Sequence, residues 1–131
     1  MKFSLIVLGA PGSHQAASSA LRFANAALES GHQIYRVFFY NDGVHNGSQL
    51  LTPPQGEDNI REAWKSLGEK HGTRMTVCIA SALRRGIVDS EEAERYDYNS
   101  GNLDEPNFKL QGLGELADAA LQSDRLITFG R

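Results

Sequence analysis

The sequence predicts an α/β fold, a three-layer α/β/α sandwich, on three observations. Phe3–Leu8 is a continuous apolar run, the pattern of a strand buried on both faces. A helical stripe follows it, and Ile34–Tyr40, rich in aromatic and β-branched residues, reads as a second strand. Strand, helix and strand within about forty residues form a βαβ unit, which requires parallel pairing and a right-handed crossover.

In chain order, the first strand runs into Gly9-Ala10-Pro11-Gly12-Ser13, which is turn chemistry. Ala17, Ala20, Leu21, Ala24, Ala27 and Leu28 recur at helical spacing, and Gly31 supplies a C-terminal stop. After the second strand, Asn41 to Gln55 is a long polar connection containing Asp42-Gly43, Asn46-Gly47 and Pro53-Pro54, of a length that is often functional or flexible. Ile60, Ala63, Trp64 and Leu67 mark a second helix ending near Gly72, and Met75–Ile79 is the third strand. A short run of small residues after Cys78 reads as a helix closed by Gly86. Asp89 with Glu92 three residues on has the spacing of a capping box. Tyr96 to Asn107 is irregular and polar, and Phe108–Leu110 is a short fourth strand. Leu113, Leu116, Ala117, Ala120 and Leu121 form the last helical stripe, and Arg125–Phe129 the last strand.

Composition narrows the function. The 131 residues are expected to form one domain with a core that needs no staples. A formal net charge of −3 lacks the basic footprint of direct nucleic-acid binding. A single cysteine excludes an intrachain disulfide framework. The opening apolar segment of six residues is shorter than a signal-peptide core and no run approaches membrane-spanning length, so a soluble cytoplasmic protein is expected.

Cys78 is the candidate catalytic residue. An apolar strand ends there and a helix begins, which places the thiol at the carboxyl edge of the sheet, where open α/β folds hold their ligands. Unpaired N–H groups at a helix start favour a negative charge such as a thiolate, and Arg84 or Arg85 would add to this if either turned back toward the sulfur. Against this stands the ordinary behaviour of free cysteine as a small buried hydrophobe. Of the four histidines, His14 lies at the same predicted edge, placed to act as a base or donor, although loop histidines are usually solvated. His45 in the long loop takes the same discount, and His32 and His71 sit at helix ends in structural settings. No metal-ligand spacing occurs and no metal or cofactor is expected. The Gly9–Gln15 loop lacks both the Lys-Ser/Thr of a P-loop and the dinucleotide glycine pattern.

Four segments together carry a resemblance. Val37-Phe-Phe-Tyr-Asn-Asp-Gly-Val44, Cys78-Ile-Ala-Ser-Ala-Leu-Arg-Arg-Gly-Ile87, Asn102-Leu103 and Leu110-Gln-Gly-Leu-Gly-Glu-Leu116 resemble the TusD/DsrE family of small sulfur-carrier proteins. The likeness runs over essentially the whole chain, and the cysteine segment is its most specific part. It implies a single DsrE-like domain over residues 1–131 with a mainly parallel five-stranded sheet between helices. It further implies that Cys78 carries sulfur as a persulfide. In the Tus branch the family works with TusB-like and TusC-like subunits in a dimer of heterotrimers, takes sulfur from a TusA-like donor and passes it to a TusE-like acceptor. The end use there is 2-thiolation of a tRNA wobble uridine, without direct nucleic-acid or membrane contact by this subunit. In the Dsr branch a similar relay with DsrF and DsrH serves sulfur oxidation. A different class of function, a non-catalytic subunit binding an anion or a partner at the sheet edge, fits a packed Cys78.

Overall fold

The computed structural model describes residues 1–130. Its strands are β1 (Lys2–Val7), β2 (Gln33–Phe39), β3 (Arg74–Cys78), β4 (Phe108–Gln111) and β5 (Arg125–Phe129). They form one five-stranded sheet in the order β4-β3-β2-β1-β5, and every pairing is parallel, where the resemblance implied only a mainly parallel sheet. The helices are α1 (Ala16–Glu29), α2 (Ile60–His71), α3 (Ile79–Arg84), α4 (Ser90–Arg95) and α5 (Gly114–Gln122). The first three strands each start and end one residue earlier than the apolar runs. Leu8 and Tyr40 donate their N–H groups to Phe129 and Val7 as the chain is already turning out of the ladder. Ile79 accordingly opens α3 instead of closing β3.

The core lies on the face covered by α1 and α2. Leu5, Val7, Val37, Phe39 and Val77 point into it and meet Ala20 and Ala24 of α1 and Trp64 of α2, all fully buried. Small residues along α1 let the helix lie close to the strands. Phe39 stands edge-on to Trp64 at 5.4 Å and tilted to Phe108 at 5.7 Å. Full burial of such side chains contributes roughly 1.5–3 kcal/mol each. Asn59 caps α2 by accepting the Arg61 N–H at 3.0 Å, and Gly72, at φ 69°, ends it in the left-handed conformation that glycine adopts without strain. At α4 only half of the capping box forms: Asp89 accepts the Glu92 N–H at 2.8 Å, while the Glu92 side chain turns toward Arg95.

The long polar connection is built structure in its first half. Asn41–Gly47 is a 3₁₀ segment with Gly43, Val44, Asn46 and Gly47 buried. Asn46 is fully satisfied there, donating to the carbonyls of Gly9 and Gly43 and accepting from the Trp64 indole. A Cβ at Gly43 would fall 2.0 Å from the Val7 carbonyl oxygen, so only glycine lets this segment press against the end of β1.

The second face of the sheet departs from expectation. An apolar stripe ordinarily faces a core. Of the stripe Leu113, Leu116, Ala117, Ala120 and Leu121 at α5, only Leu116 is half-buried and the rest are exposed, with Leu121 at 83%, while Glu115, Asp118 and Ala119 lie toward the sheet. A bulge explains the inversion. Phe3 pairs with Ile34 and Ser4 with Arg36, leaving Tyr35 as the extra residue. Tyr35 and Arg36 then both reach Asp118, and the acidic side of α5 turns inward to meet them.

Replacing Gly43 by Ala is expected to lower folding stability by about 1–3 kcal/mol, measured as a shift in the denaturation midpoint at unchanged m-value. Wild-type stability in that variant would contradict the close approach.

Candidate active site

Parallel pairing sends the carboxyl ends of all five strands to one rim. Cys78 sits there as the last residue of β3 and the residue preceding the first turn of α3, paired in register with Gln111, the last residue of β4. The position read from the sequence is therefore correct. The exposure is not that of an open nucleophile: Cys78 is 3% exposed.

The residues grouped with Cys78 by sequence have other employment. Arg85 is engaged by other partners, donating from Nε to Asp42 at 2.8 Å and from Nη1 to the Ser81 carbonyl at 3.1 Å. Arg84 is exposed at the far end of α3. His14 accepts the Ala16 N–H at 3.0 Å on its Nδ1, filling the capping role that Gln15 leaves empty at the start of α1. His32 meets the N-terminal amine at 2.8 Å, in keeping with a structural role. His45 lies in the 3₁₀ segment and His71 in the last turn of α2.

Three sets of contacts hold the rim. On the β2 side, the Asn41 N–H donates to Ser81 Oγ at 3.2 Å, and with the Arg85–Asp42 pair this binds α3 to the 3₁₀ segment. Below α3, Asn102 accepts the Val88 N–H and donates to the Gly86 carbonyl, which stitches the irregular 96–107 stretch to the exit of the helix. On the β4 side the organising residue is Arg36, which sequence reasoning missed. It is 3% exposed on the second face, and its Nη1 donates to Thr76 Oγ1 and, at 3.2 Å, to Gln111 Oε1. Its Nη2 meets Glu115 at 2.9 Å and Asp118 at 3.5 Å. Thr76 donates in turn to Gln111 at 2.9 Å, so the network reaches the residue opposite Cys78. A signal existed in the sequence: a charge inside an otherwise apolar strand requires buried partners.

The model of the DsrE/DsrF-like family matches residues 1–129. The chain belongs to that family. It is 51% identical over 130 residues to a protein named DsrE from Allochromatium vinosum, covering 99% of each. It is 46% identical over 129 residues to the sulfurtransferase TusD of Salmonella newport, covering 98% of this chain and 100% of that one. Among solved structures, the YchN protein of E. coli superposes with a TM-score of 0.73 at 26% identity, over 98% of this chain and all of that one. Near-complete likeness to curated members of this family assigns sulfurtransferase activity to the chain. Among the described residues, no helix is long and apolar enough to cross a membrane.

The hydrogen bond from Arg85, foremost, and its charge hold the Asp42 carboxyl below its ordinary range against a smaller opposing effect of desolvation. A depressed carboxylate stabilises the fold above its unfolded-state pKa, and this contribution disappears as pH falls through the folded-state value. Wild type is therefore expected to exceed Asp42→Asn in stability near neutral pH and to converge with it below about pH 4, as read by thermal melts across that range. A gap that persists at pH 2 would contradict the pairing.

Proposed function

We propose that this sulfurtransferase accepts sulfane sulfur as a persulfide on Cys78 and relays it to an acceptor protein. The supporting observation is the place of the chain's only cysteine: the carboxyl rim of a parallel sheet, in a family with sulfurtransferase members. The Cys78 thiolate attacks the outer sulfur of a donor persulfide. A new S–S bond forms to Cys78 Sγ, the donor's S–S bond breaks, and its electron pair leaves with the donor thiolate. The sulfane hydrogen travels with the transferred sulfur, so no oxidant or reductant is consumed. The chain holds no second thiol to resolve Cys78–S–SH, and an acceptor's thiolate removes the outer sulfur by the same displacement.

The relay we propose runs from a TusA-like donor to a TusE-like acceptor and ends in 2-thiolation of a tRNA wobble uridine in the cytoplasm, this chain touching proteins and not RNA. The outward apolar stripe of α5 supports assembly with TusB-like and TusC-like subunits, because a helix does not ordinarily leave such a surface to water. The 51% identity to DsrE favours a second reading, a relay serving sulfur oxidation. The burial of Cys78 favours a third, in which the cysteine is packed and the subunit only binds a partner.

Incubation with a protein persulfide donor, followed by mass spectrometry of the Cys78 peptide, is expected to show one added sulfur in wild type and none in a folded Cys78→Ser variant. Absence of loading from a donor that loads another carrier would refute the carrier role. In cells lacking the protein, tRNA 2-thiouridine is expected to fall, and undiminished 2-thiouridine would turn the assignment to sulfur oxidation.

A further inference from the structure

We propose that Arg36 is a positioning residue for Cys78, clasping both ends of the Gly112–Leu113–Gly114 link that leaves the sheet beside the cysteine and so setting how readily the thiol is reached. β3 and β4 end together, with Cys78 opposite Gln111, so the chains continuing into Ile79 and Gly112 leave the rim side by side. The β2 side of this rim is pinned by the Asn41–Ser81 and Arg85–Asp42 contacts. The link on the β4 side has open space beside both of its glycines. A Cβ at Gly112 or at Gly114 would meet no atom within 4 Å, and Leu113 between them is 55% exposed. Its backbone carbonyls at Gly112 and Leu113 bond forward, into the first turn of α5.

Beyond the β4 ladder, the link is tied to the sheet through its flanking side chains; Arg36 reaches both of them, and Thr76 reaches Gln111 as well. Gln111, immediately before it, takes Arg36 Nη1, and Glu115, immediately after it, takes Arg36 Nη2. Arg36 is itself immobilised by burial and by Thr76, two residues before Cys78 on the same strand. Its Nε is buried without a partner, so the clasp is held by the two Nη groups alone. Removing either tie loosens the side-chain hold on one end of the link, and local opening of such a segment does not require global unfolding.

The purpose of this clasp rests on Cys78 being the sulfur carrier, but its measurement does not. Alkylation of Cys78 by iodoacetamide is followed in wild type, Arg36→Met, Gln111→Ala and Asn59→Ala, alongside amide exchange. Asn59→Ala removes the α2 cap and destabilises the protein on the other face of the sheet from the Arg36 network. Arg36→Met and Gln111→Ala are expected to alkylate about five- to tenfold faster than wild type, with faster exchange at residues 112–114 and unchanged exchange in β1. Asn59→Ala stays within about twofold of wild type. Equal rates in Gln111→Ala and wild type, or an equal acceleration in Asn59→Ala, would overturn the proposal, and Gln111→Ala alone decides it if Arg36→Met does not fold. Faster alkylation in a protein whose wild type never loads sulfur would leave the clasp standing and remove the carrier role. Sulfur loading with unchanged alkylation would do the reverse.

Discussion

The parallel hydrogen-bond ladder is the constraint from which the rest follows. Because β1 to β5 all run one way, every strand delivers its last residue to the same rim, and every connection must cross back over a face. Cys78 and Gln111 are brought opposite each other by that register and not by any attraction between them. The 3₁₀ segment after β2 closes onto the same rim, and Gly43 lets it lie against the Val7 carbonyl, where any Cβ would collide. The result is a thiol at the carboxyl rim of the sheet that is nevertheless buried.

The two faces of the sheet answer different demands. One is a conventional apolar core of aromatic and aliphatic side chains under α1 and α2. The other is organised by a buried guanidinium. A bulge at Tyr35 presents Tyr35 and Arg36 to α5, which satisfies them with Glu115 and Asp118 and is left with its leucines outward. This face buries Arg36 and its polar partners beside Phe38 and Ala119, while the leucines at the two ends of its helix point outward. The exposed stripe leaves an apolar helix face without a partner among the described residues.

Much of this was legible in the sequence. Buried parallel strands write themselves as unbroken apolar runs, so Phe3–Leu8, Ile34–Tyr40 and Met75–Ile79 located β1 to β3 to within a residue. The glycines after α1, α2 and α3 marked real left-handed stops, at Gly31, Gly72 and Gly86. Cys78 was placed at the rim because it ends such a run. The 3₁₀ segment was not legible, since Gly43, Asn46 and Gly47 are buried for closeness and hydrogen bonding and not for hydrophobicity. Nor was the orientation of α5, because periodicity locates a stripe without saying what the sheet offers it. The burial of Cys78 escaped for a related reason: the end of an apolar run locates a residue at the rim without saying how exposed it is there.

Native-state labelling of Cys78 across low denaturant concentrations tests the central claim most directly, that the covered thiol is reached by a local movement of the rim. If it is, the free energy of exposure lies well below that of global unfolding and changes little with denaturant until the unfolding transition. Labelling that tracks global unfolding at every denaturant concentration would mean that the sulfur is sealed in the native protein, and the account of Cys78 as a carrier would be wrong.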